Sequence, residues 1–117
     1  MADSEAALRT LFRSRLRIRA PEVCVVGIPN AAKRGQWAVN QAKREGLATG
    51  FPDDMLLWPG GVAFVEWKAE KGRLSLNQVE WIQRLTAMGH HAIVGRDPDQ
   101  VLDWLREIGA PFLRRAA

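Results

Sequence analysis

An α/β fold, a mixed β-sheet flanked by helices, is the architecture this sequence predicts, on three observations. Apolar residues recur at helical spacing in three stretches and form four shorter β-rich runs. The order is helix, strand, hairpin, helix, strand, helix, and helices interleaved with strands pack as layers on one sheet. A length of 117 residues is enough for one core and not for two, so residues 1–117 read as a single domain.

The first helix is predicted over residues 4–17. Ser4 can cap it, and Ala7, Leu8, Leu11, Phe12 and Leu16 recur near helical spacing. Arg9, Arg13 and Arg17 step by four along another stripe, which either tracks a polyanion or faces water. Glu22 to Ile28 is rich in Val and Ile and reads as a strand, followed by a turn at Pro29-Asn30. Residues 31–50 are polar and punctuated by Gly, with a short helix around Gln36 to Glu45. Met55 to Trp58 and Val62 to Trp67 flank Pro59-Gly60-Gly61, which signals a hairpin. Leu76 to Met88 is amphipathic, with Val79, Ile82 and Leu85 facing inward and Gly89 closing the helix. Ala92-Ile93-Val94 is a short strand. Asp97 caps a last helix with Pro98 at its first position.

Composition excludes several classes. Apolar residues make up 47% and charged residues 26%, as in globular proteins. No run of about 18 apolar residues offers a membrane span. The start Met-Ala-Asp-Ser-Glu carries no secretory signal, so a cytoplasmic location is the expectation. The single cysteine, Cys24, sits in an apolar run and reads as a buried small hydrophobe. No Cys/His cluster suggests zinc. The net charge of +4 is uneven: residues 1–50 balance to +5 and residues 51–117 to −1. A basic half is the footprint of a polyanion partner or a solvated surface.

The chemistry gathers at the hairpin. Glu66 and Lys68 project from one face of their strand, because side chains alternate. A two-residue Pro59-Gly60 turn pairs Trp58 with Gly61 and, counting outward, sets Asp53 opposite Glu66. A three-residue turn puts Asp54 there instead, and both registers remain open at this stage. Directly opposed residues have Cβ atoms about 4.5–5.5 Å apart, so two carboxylates there repel unless a cation lies between them. Mg²⁺ is often held by one or two carboxylates with waters and phosphate oxygens. The alternative is plain surface pairing of Glu66 with Lys68 or Arg73. Against it, Glu66 and Lys68 interrupt a strand that is otherwise apolar on both faces, where charges need a partner or a task.

Gly50-Phe51-Pro52-Asp53, then Glu66-Trp67-Lys68, then Leu74-Ser75-Leu76-Asn77-Gln78 resemble the VRR-NUC domain, the virus-type replication-repair nuclease of the PD-(D/E)XK superfamily. The resemblance runs from roughly Glu5 to Gly95. It implies a restriction-endonuclease-like fold and a metal-dependent DNA endonuclease. Asp53 and Glu66 would bind Mg²⁺ or Mn²⁺ with the backbone carbonyl of Trp67, and Lys68 would orient the attacking water. Gln78 matches the family's active-site glutamine, although Ser75 to Gln78 is equally a capping box. Glu5 matches a first-helix glutamate that completes many such metal sites, and is equally a first-turn acid suited to the helix dipole. Asp54 stands where many members have a hydrophobic residue. The short length resembles stand-alone members of phages and prophages, which look like homodimers acting on branched or junction DNA.

Lys33, Arg34, Lys43, Arg44, Lys71 and Arg73 flank the motif and are candidate phosphate contacts. Trp37 is a candidate for stacking on a base. Trp58, Trp67, Trp81 and Trp104 are expected in the core or an interface, and His90 and His91 at a strand start. Two rival functions remain: a catalytically silent nucleic-acid-binding module, and an interaction protein without nucleic acid.

Overall fold

The computed structural model describes residues 4–29, 40, 41, 44, 46 and 48–114. Among them the chain forms α1 (Glu5–Arg19), β1 (Cys24–Gly27), β2 (Asp54–Trp58), β3 (Gly61–Trp67), α2 (Leu76–Ala87), β4 (His91–Gly95) and α3 (Pro98–Glu107). The order is the expected one. Of the short helix expected around 36–45, Asn40, Gln41 and Arg44 are described, and all three are helical.

The four strands make one sheet in the order β1-β2-β3-β4. β1 and β3 run antiparallel to β2, and β4 runs parallel to β3. The sheet is therefore mixed, with a hairpin at its centre and a β3–α2–β4 crossover at one side. The turn uses two residues. Trp58 pairs with Gly61, and Gly60 takes a φ of +86° in the position after Pro59, as a type II turn requires.

Helices cover the sheet from both sides. Leu8, Phe12 and Leu16 of α1 and Val101, Leu102 and Leu105 of α3 close on Leu56, Ala63, Val65 and Trp67 from the sheet. Phe12 is fully buried and its ring lies 5.1 Å from that of Trp67. α1 ends at Ala20 because Pro21 disfavours helical geometry in the residue before it. On the other side α2 packs on β4, with Phe51 between Phe64 and Trp81.

Cys24 departs from the expectation of burial and is exposed. β1 is an edge strand, so its residues alternate between a covered and an open side. Val23 belongs to the core and Val25 packs against it, whereas Cys24 and Val26 turn the other way, with Leu57. An apolar run in the sequence does not distinguish an edge strand from a central one.

Gly50 fixes how the chain enters β2. Its φ is +83°, and a Cβ there would lie 2.6 Å from Asn77 Cβ and 2.9 Å from Gln78 N. The first turn of α2 thus rests on the backbone of Gly50. Gly50→Ala meets both a left-handed backbone and a clash with main chain, which together cost about 2–4 kcal/mol. Urea denaturation is expected to show this loss, and an unchanged midpoint would mean that the contact relaxes without penalty.

Candidate active site

Asp53 and Asp54 arrive at the sheet as neighbours and part company there. Asp54 is the first residue of β2, paired with Val65, and the same register extended by one residue sets Asp53 opposite Glu66. Ile28 N–H donates to Asp53 O at 2.7 Å, so the ladder with β1 continues past the strand end. The two-residue turn thus gives Asp53, not Asp54, the place across from Glu66.

Asp54 faces the core and is fully buried. Its Oδ1 accepts from Arg9 Nη2 at 2.8 Å and from Arg13 Nη2 at 3.0 Å. Its Oδ2 accepts from Arg9 Nε at 3.2 Å and from the Trp67 indole N–H at 2.9 Å. The hydrogen bond to Asp54 raises the Arg9 guanidinium above its already high pKa; burial opposes this, and Asp54, Asp53 and Glu66 add to it through space. Arg9 and Arg13 therefore neither track a ligand nor simply face water. They clamp a carboxylate more than forty positions away in sequence.

Asp53 is 5% exposed and Glu66 2%. Asp53 Oδ2 accepts the backbone N–H of Trp67 at 2.9 Å. Glu66 Oε1 accepts from Gln78 Nε2 at 2.5 Å. Gln78 also completes the capping box of α2: its Oε1 accepts from Ser75 N at 2.8 Å, and Ser75 Oγ accepts from Gln78 N at 3.2 Å. The capping-box reading of Gln78 holds through its amide oxygen, and its amide nitrogen reaches Glu66.

Lys68 continues the β3–β4 ladder, donating its N–H to Gly95 O at 2.9 Å. Its ammonium is 3.8 Å from Glu5 Oε1. Glu5 is thus brought to the same end of β3, beside Lys68. Among the described residues no three His, Cys, Asp or Glu side chains gather as metal ligands. The acid pair Asp53 and Glu66 supplies hard oxygen donors, the kind a Mg²⁺-class ion takes together with water and phosphate.

Arg44, Lys71 and Arg73 are exposed, whereas Lys33, Arg34, Lys43 and Trp37 lie outside the described residues. His90 and His91 sit at the end of β4 away from Gly95, near the aromatic rings of Phe64 and Trp104. Two groups escaped sequence reading. One is the Arg9–Arg13–Asp54 cluster. The other is Arg96, whose Nη1 donates to Ala69 O at 2.8 Å and Gly72 O at 2.9 Å and so organises the loop after Lys68.

The profile of the VRR-NUC domain matches residues 5–96 of the chain. The chain belongs to the VRR-NUC family. No curated protein and no solved structure matches it. A VRR-NUC domain is a nuclease domain, with DNA as its substrate class, and such nucleases typically use divalent metals. The matched stretch of this VRR-NUC chain contains Glu5, Asp53, Glu66, Trp67, Lys68 and Gln78 and closes on Arg96. Among the described residues no helix is long and apolar enough to cross a membrane.

Asp54→Ala removes the acceptor shared by Arg9, Arg13 and Trp67. Arg9 and Arg13 retain access to water, with side chains 30% and 41% exposed. The loss is therefore expected near the low end of that for a broken buried pair, about 3 kcal/mol. Asp53→Ala, which removes one backbone contact, shifts the urea midpoint less. Equal shifts would show that Asp54 is not the anchor of this cluster.

Proposed function

We propose that this VRR-NUC domain is a metal-dependent DNA endonuclease of the PD-(D/E)XK type, with Asp53, Glu66 and Lys68 at its centre. The observation that carries the reading is the register of the central hairpin. It opposes two buried carboxylates beside a lysine, and two acids so placed repel unless a cation lies between them.

In this reading Asp53, Glu66 and the Trp67 carbonyl hold Mg²⁺ or Mn²⁺. The bound ion supplies Lewis-acid polarisation of the scissile phosphate and lowers the pKa of water. Gln78 restrains Glu66, so the carboxylate does not lose its orientation when substrate arrives. The Trp67 N–H restrains Asp53 in the same way. Lys68 orients the attacking water and offsets charge that develops on the phosphate. Glu5, 3.8 Å from the Lys68 ammonium, directs that ammonium and would lie on the same side as the metal. Lys71, Arg73 and Arg44 contact flanking phosphates, as do Lys33, Arg34 and Lys43.

The finer biology follows from the family resemblance. Branched or junction DNA is the expected substrate, in phage or prophage replication, recombination or repair. No base-reading motif is visible, which suits recognition by shape. One VRR-NUC domain offers one candidate site, and a homodimer gives one cut per strand. Light scattering is expected to report twice the chain mass, and a monomer at all concentrations would remove the dimer from the reading.

The decisive experiment is cleavage of end-labelled junction, flap, single-stranded and duplex DNA with Mg²⁺, Mn²⁺ or EDTA. Lys68→Ala and Asp53→Ala are each expected to lower the cleavage rate by at least about a hundredfold, and EDTA to abolish cutting. Cutting that survives both substitutions would displace the site. Binding without cutting under either metal would favour a silent nucleic-acid-binding module.

A further inference from the structure

The far end of α1 from Glu5 carries a second concentration of charge. Arg19, Arg106 and Arg114 line a groove of about 480 Å³ together with Ile18 and Leu113. Among the described residues the one carboxylate within ion-pair reach of these arginines is Asp99. It lies 3.9 Å from Arg19 and is already held at 2.9 Å by Arg15. The fold itself brings the three residues to one groove. Leu113 N–H donates to Arg19 O at 2.8 Å, which seats the chain after α3 against the end of α1. The Arg106 guanidinium lies 4.6 Å from the centre of the Phe112 ring.

Helix dipoles explain part of this arrangement. Arg19 and Arg106 occupy the last turns of α1 and α3, where cations are favoured. Arg114 follows both helices and has no such reason to be there. Like charges brought to one groove repel, and an anion between them reverses the sign of that interaction. Guanidinium forks match phosphate oxygens in geometry as well as charge. Arg106, Leu113 and Arg114 lie beyond the residues 5–96 that the family profile matches, whereas Ile18 and Arg19 lie within them.

We propose that this groove is a second contact site for the phosphodiester backbone of the DNA substrate. The choice of DNA rests on the nuclease reading above. α1 sets the distance between the two sites. It has 15 residues, and at about 1.5 Å per residue its ends are about 21 Å apart. That span equals about six nucleotide steps of a strand at 3.4 Å each. A short duplex therefore reaches one site, and a longer arm reaches both.

The test is fluorescence anisotropy of the full chain with labelled duplexes of increasing length, in EDTA and over a range of salt. The doubly substituted Arg106→Gln/Arg114→Gln protein is compared with wild type, and thermal melts verify its fold. Arg114→Lys serves as a second variant that keeps the charge. Wild-type affinity is expected to rise once the duplex exceeds about six base pairs on one side. The double variant should lose about tenfold in affinity for the long duplexes only, with the slope of log K against log salt reduced by about two. Arg114→Lys should retain most of the slope. Equal affinity and slope for wild type and double variant on long duplexes would overturn the proposal, as would an absence of wild-type binding. Salt-dependent binding that needs these arginines, in a protein that never cuts DNA, would sustain the groove and sink the nuclease reading. Metal-dependent cutting with an unchanged double variant would do the reverse.

Discussion

A strand sends consecutive side chains to opposite faces, and Asp53-Asp54 places a carboxylate on each side of the sheet at its central hairpin. The inward one, Asp54, is enclosed by the core. An unpaired carboxylate there would cost several kcal/mol. α1 supplies the remedy from two successive turns, Arg9 and Arg13, and β3 adds the Trp67 indole N–H. The arginines stay partly exposed, so they keep part of their hydration while neutralising a group that has lost all of its own. Helix, strand and tryptophan are fixed to one another through that single side chain. The backbone N–H of the same tryptophan then holds Asp53. The position of the outward carboxylate is in this way a consequence of how the inward one is satisfied.

Glu66 is fixed by a different device. α2 begins where Gly50 lets its first turn approach the main chain, and Ser75 caps it. The capping box commits the oxygen of the Gln78 amide to Ser75 N, so its nitrogen has to point away, and Glu66 lies in that direction. A helix cap, worth about 1 kcal/mol as a local element, thereby also sets the orientation of a buried acid from another strand. The glycine of Gly50-Phe51-Pro52-Asp53 and the glutamine of Leu74 to Gln78 belong to one construction, although 27 positions separate Gly50 from Asn77.

Much of this was legible in the sequence. Pro59-Gly60 allowed a two-residue turn, and once Trp58 pairs with Gly61 the opposition of Asp53 and Glu66 follows by counting. The ends of the helices were marked by Ser4, Ser75, Asp97 and Pro98, whose effects are local. What was hidden depends on tertiary placement. The stripe of Arg9, Arg13 and Arg17 looks the same whether it faces water or a carboxylate, and its partner lies far along the chain. Cys24 occupies an apolar run, but burial depends on whether the strand is at an edge, which only the strand order determines. The register itself stood open until the turn was seen, because one residue exchanges Asp53 for Asp54.

The same cluster changes how the charge of the chain is to be understood. The first half appeared to be a broad basic footprint, with five arginines in α1. Arg9 and Arg13 are bound to Asp54, and Arg15 and Arg19 share Asp99. Each of those carboxylates comes from the second half of the sequence, so folding removes much of the asymmetry that the linear count displays. Charge summed over a segment overstates the field at its surface when the segment's partners are remote. The cations that remain for a polyanion are those the fold leaves exposed or gathers without a carboxylate of their own.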